Sequence, residues 1–100
     1  MRAPTIHDLP THPFSGQDVP SLLAERAAER GSHPFLIWEP FEGPGTIWSY
    51  AGFADRVERV AAGLARRGIK AGDRLLVHLD NCPESLFAWY ACARIGAVAV

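Results

Sequence analysis

One hundred residues, 48% hydrophobic and 21% charged, with a formal net charge of -1, have the balance of an ordinary globular protein. That near-neutral charge excludes the broad basic field a nucleic-acid or anionic-membrane binder carries. No run approaches the ~18 uncharged apolar residues of a membrane span, and the N-terminus lacks the apolar core of a secretion signal. The cytoplasm is therefore the expected compartment.

Residues 1–17 carry Pro4, Pro10 and Pro13 with no apolar period, which predicts an irregular N-terminal arm lying across the body of residues 18–100. His7 and His12 in that arm lack a partner Cys or a fixed helical spacing, so both read as solvated rather than as metal ligands. Asp18 as cap, Pro20 in the first turn and Val19, Leu22, Leu23 and Ala27 on one face predict a short amphipathic helix that Gly31 closes. Phe35–Trp38 and Thr46–Trp48 predict two short strands paired as a hairpin across Glu42–Gly45. Gly43-Pro44-Gly45 has no following Lys-Ser/Thr and no helix directly after it, so it reads as a hairpin loop and not as a phosphate cradle.

Ser49 is placed to cap the next helix, in which Phe53, Val57, Val60, Ala61 and Leu64 follow the amphipathic template. Asp55, Glu58, Arg59 and Arg66 face away, and Gly68 supplies a left-handed stop. Residues 72–100 then read as a buried strand at Leu75–Leu79, a helix capped by Asn81 with Glu84 closing a capping box and Pro83 in its first turn, and the start of a second strand. On that helix Leu86, Phe87, Trp89 and Tyr90 fall in one arc, with Ala88, Ala91 and Cys92 opposite. A helix so apolar on every side belongs inside a larger protein. The expected fold is therefore α/β and incomplete, its strand-helix-strand unit and parallel-containing sheet cut off at Val100. Its exposed apolar edge is expected to pair with a missing remainder or to self-associate.

Cys82 and Cys92 flank one helix almost three turns apart, too far to bridge, and read as core thiols of a reducing compartment. His78 lies in the strand without a Ser, Cys or carboxylate partner at motif spacing, so it reads as a core or edge histidine. Asp80, just past the strand, sits where open α/β sheets bind ligands, though turn formation explains it equally. Residue chemistry alone names no reaction.

The order of Thr46-Ile47-Trp48-Ser49-Tyr50, the amphipathic helix, Gly68-Ile69-Lys70-Ala71-Gly72-Asp73-Arg74, Asp80-Asn81-Cys82-Pro83-Glu84 and Ala93-Arg94-Ile95-Gly96-Ala97-Val98-Ala99-Val100 resembles the N-terminal part of adenylate-forming (AMP-binding) acyl-CoA synthetases. That superfamily also holds luciferases and peptide-synthetase adenylation domains. The wording around Asp80–Glu84 and Ala91–Val98 is most similar to carboxylate-CoA ligases of the crotonobetaine or medium-chain type. One departure is local: Gly52 and Phe53 stand where the family usually places an acidic residue and Leu. The resemblance implies a longer parent, an AMP-forming acid-thiol ligase that joins a carboxylate to AMP with loss of pyrophosphate and passes the acyl group to the CoA thiol. ATP, Mg2+ and CoA are thus implied for the parent. The family's phosphate loop, nucleotide and Mg2+ residues and catalytic lysine have no counterpart in these 100 residues, so no catalytic, cofactor-binding or metal residue carries over. The chain itself is expected to bind none of these cofactors and to be inactive. Two other expectations stand beside this one: a free-standing, non-catalytic interaction module on the same scaffold, and the start of a different adenylate-forming enzyme.

Overall fold

The computed structural model describes residues 2–8 and 10–100. Three α-helices pack around an aromatic centre, with a hairpin beside them and a short parallel pair at one end. The helices are α1 (Val19–Arg30), α2 (Tyr50–Arg66) and α3 (Pro83–Ile95); the strands are β1 (Pro34–Trp38), β2 (Thr46–Ser49), β3 (Arg74–Leu75) and β4 (Val98–Ala99). This is the α/β arrangement expected from the sequence. Met1 and Leu9 of the anticipated arm lie outside the described residues.

The starts of α1 and α2 and the end of α2 have local causes. Asp18 accepts a hydrogen bond from the Ser21 amide at 2.7 Å, and Ser49 accepts one from the Gly52 amide at 3.0 Å, which satisfies donors that the first turn leaves unpaired. At the far end of α2, Gly68 adopts φ +93° while its amide donates to the Ala65 carbonyl and that of Ile69 to Leu64. That pair of bonds is the Schellman stop. Bonding to Ser21 holds the Asp18 carboxyl below its ordinary value of 3.8, as bonding to Lys70 does for Asp73 and to Thr5 for Asp8. A depressed carboxylate contributes stability above the unfolded pKa and loses it as pH falls through the folded one. The Ser21 amide resonance is therefore expected to move only below about pH 4, and Asp18→Asn should flatten that titration.

β1 and β2 pair antiparallel with Ile37 opposite Ile47 and Trp38 opposite Thr46, as a hairpin requires, with one irregularity between Pro34 and Leu36. β3 and β4 pair parallel, Arg74 with Val98 and Leu75 with Ala99.

The strand expected over Leu75–Leu79 is shorter than its apolar run. Regular pairing covers Arg74–Leu75, and the last ladder bond runs from the Val77 amide to the Val100 carbonyl at 2.8 Å. His78 and Leu79 lie past the last ladder bond among the described residues. Asn81 does not cap α3 either. Cys82 is the cap residue, extended at φ -151°, ψ 162°, and makes no capping bond through its side chain. Pro83 decides this, because a proline at the first helical position forces the residue before it into extended backbone.

The core consists of Leu23, Phe53, Val57, Ala61, Phe87 and Ala91. Three of these come from the periodic face of α2, and Phe53 stands at the centre, with ring centroids 4.6 Å from Phe35, 5.4 Å from Phe87 and 5.0 Å from Tyr90. On α3 the buried face is Phe87, Ala91 and Cys92, whereas Trp89 is 54% exposed. The expected broad apolar arc is therefore split: α2 and α1 cover one side, and Trp89 faces outward.

Candidate functional site

Ligands of open α/β sheets bind beyond the carboxyl ends of the strands, which here is the turn between β3 and α3. That turn is held by its own bonds. The Ser85 hydroxyl donates to the Asp80 carbonyl at 3.1 Å, and the Cys82 Sγ lies 3.6 Å from the same hydroxyl. Asp80 is thus engaged through its backbone as a turn residue. His78 is exposed, and among the described residues it makes no side-chain hydrogen bond that would orient it as a base.

Trp38, Glu39, Pro40 and Phe41 from the hairpin face Asp80 and Asn81 across an open cleft of ≈ 520 Å³. Its ionisable groups, Glu39 and Asp80, are both acidic and repel phosphate. The hairpin loop supplies no cradle: Gly43 takes φ +86° in the turn, and β2, not a helix, follows Gly45.

The remaining candidates are scattered. His7 sits in the short 3-10 turn Ile6–Asp8, and the His12 Nδ1 accepts from the Phe14 amide at 3.1 Å. Among the described residues no three of His, Cys, Asp and Glu gather as a metal site. Both cysteines are free. Cys92 is 1% exposed and burial raises its thiol pKa, while Cys82 is half-buried at the helix start. A thiol reagent is therefore expected to label Cys82 first in the native protein and both thiols alike once it is unfolded, which peptide mapping by mass spectrometry checks. Equal native rates would show α3 to be open.

Three features were not legible in the sequence. A small apolar cleft of ≈ 280 Å³ forms where Phe14, Leu22, Phe35, Tyr50 and Tyr90 converge, with Arg26 at its rim. Arg94 of α3 donates to Glu58 of α2 at 2.8 Å, a pair 36 residues apart in the chain. The Arg56 guanidinium lies over Trp48 and Phe87, 5.2 and 5.7 Å from their ring centroids. Each joins elements distant in sequence, and periodicity carries no signal of such a meeting. Among the described residues, none of the three brings a nucleophile, a base and an acceptor together.

The model of one protein family, described as AMP-binding enzyme, matches residues 23–100. The crotonobetaine/carnitine–CoA ligases of Salmonella typhimurium and Salmonella paratyphi B are 39% identical over 85 residues, which cover 85% of this chain and 16% of those proteins. The chain thus spans about a sixth of the length of these curated relatives. Among solved structures, the acetoacetyl-CoA synthetase of Streptomyces lividans superposes with a TM-score of 0.75 at 26% identity, over 81% of this chain and 12% of that one. The fatty acid AMP ligase of Legionella pneumophila gives 0.78 at 21% identity over 87% and 15%. The N-terminal subdomain of NpsA from Klebsiella oxytoca gives 0.73 at 24% over 82% and 20%; these last two likenesses speak for the fold alone.

Proposed function

This chain belongs to the AMP-binding enzyme family, and from that membership we propose that it forms the amino-terminal scaffold of a longer ATP-dependent carboxylate–CoA ligase working in the cytoplasm. The observation that carries the reading is the 39% identity to crotonobetaine/carnitine–CoA ligases across 85% of the chain. Such an enzyme uses ATP with Mg2+ to join a carboxylate to AMP, releasing pyrophosphate, and then exchanges AMP for the thiol of CoA.

The residues of this chain do not fit the nucleotide or the metal. Its cleft beyond β3 is lined by two carboxylates, and no cluster of metal-ligand side chains exists among the described residues. Its contribution is mechanical. The hairpin and the three helices lock into one aromatic core, and β3 and β4 present the edge and exposed side chains, Leu76, Val98 and Val100, on which further sheet can be laid. That apolar edge is expected to be covered by other parts of the longer polypeptide.

The test is ATP–pyrophosphate exchange. The full gene product should exchange label only when a carboxylate is supplied and should form a thioester only with CoA, whereas residues 1–100 alone should do neither. Substrate-dependent exchange by residues 1–100 would refute the scaffold role, and a full gene product inert towards every class of carboxylate would refute the ligase.

A further inference from the structure

One side of α2 and its C-cap residue carry a ridge of arginines. Arg56, Arg59, Arg66 and Arg67 surround a shallow, open depression of ≈ 550 Å³ floored by Val60 and Gly63. At 1.5 Å per residue the ridge is about 16 Å long, three turns of helix. Its acids are few: Asp55 pairs with Arg59 at 2.9 Å, and Glu58 is turned away to Arg94. Among the described residues, no carboxylate lies within ion-pair distance of Arg56 or Arg66.

Three further observations bear on this ridge. The Arg56 guanidinium carbon lies 5.2 Å from the Trp48 ring centroid and 5.7 Å from that of Phe87, so cation–π attraction favours this position and less freedom is lost on binding than by a swinging side chain. The Trp48 Nε1 is buried with no acceptor among the described residues. Gly63 lies inside α2, where glycine weakens a helix, yet an added Cβ would meet nothing nearer than the Arg67 Nη1 at 3.7 Å. Internal packing therefore does not demand it. A bare position in the floor of the depression lets another chain approach the helix backbone.

We propose that the arginine ridge of α2 docks an acidic polypeptide segment, with carboxylates about 15 Å apart, nearly three helical turns, meeting Arg56 and Arg66 on either side of Gly63. A segment of protein fits better than a nucleic acid. The ridge is narrow and only a few charges long, Asp55 stands at its border, and the whole chain has a net charge of -1, so a continuous polyanion would meet repulsion on either side.

The experiment uses the full gene product and a fluorescein-labelled peptide with glutamates nearly three helical turns apart, followed by anisotropy. Binding should weaken at least about fivefold when salt rises from about 50 to about 300 mM, because exposed charge pairs are screened. Arg56→Gln with Arg66→Gln should weaken it at least about tenfold, whereas the same changes at Arg26 and Arg30 on α1 should alter it less than about twofold. Unchanged far-ultraviolet dichroism keeps loss of fold from imitating loss of binding. The proposal is overturned by absence of binding to the wild-type protein, by equal losses from both arginine pairs, or by tighter binding of an oligonucleotide or polyphosphate than of the peptide.

Discussion

Phe53→Ala is expected to destabilise the fold by about 3–5 kcal/mol, a large share of the stability of any domain this size. The ring is 0% exposed and is the hub of the core, touching Phe35 of β1 and both Phe87 and Tyr90 of α3. Removing it forfeits the transfer free energy of the ring and also leaves a hole between three elements that cannot all collapse inward together. Phe53→Leu keeps most of the volume and should lose less than about half as much. Trp89→Ala removes a larger side chain, but one 54% exposed on the outer side of α3, and should cost no more than about 1 kcal/mol. Urea unfolding of the three variants checks the order. If Trp89→Ala proved the costliest, the assignment of buried and open faces on α3 would be wrong.

Gly96→Ala is expected to cost about 2 kcal/mol, and for two separable reasons. Gly96 takes φ +78°, where a side chain brings roughly 1–2 kcal/mol of strain. An added Cβ would also stand 3.2 Å from the Cβ of Ala71, because the Gly72 amide donates to the Gly96 carbonyl at 2.9 Å and draws the two segments together. Gly68→Ala isolates the first reason, since Gly68 takes φ +93° with nothing within 4 Å of a new Cβ. Part of the strain in both variants is offset, by about 0.4–1 kcal/mol, through the reduced freedom of the unfolded chain. Thermal or urea midpoints should therefore place Gly96→Ala below Gly68→Ala. Equal midpoints would mean that the junction between β3 and β4 gives way without cost.

Gly96 ends α3 and starts the return to β4, with the amides of both Gly96 and Ala97 directed to the Cys92 carbonyl. The effect of its substitution should thus reach the parallel pair, the edge on which the scaffold role proposed above depends. Lost exchange activity of the full gene product in Gly96→Ala, beside activity retained in Gly68→Ala, is the expected functional echo.

Locally determined features were legible residue by residue. Asp18 and Ser49 as caps, the buried face of Phe53, Val57 and Ala61, the stop at Gly68 and the hairpin pairing each follow from spacing and backbone chemistry within a few positions. The cap of α3 was misread as Asn81 because residue preference was weighed above the restriction that Pro83 places on Cys82, although that restriction is local too.

Sequence on its own settled the type and order of the elements and the membership suggested by their wording. Tertiary structure alone decided that β3 pairs parallel with β4, that Trp89 faces outward while Cys92 is buried, and that Arg56 lies over Trp48. Periodicity reports which side of an element is apolar, but a strand lasts only as far as its neighbour does, and a helix face is buried only where another element covers it. Those are properties of contacts between residues remote along the chain, and no local pattern encodes them.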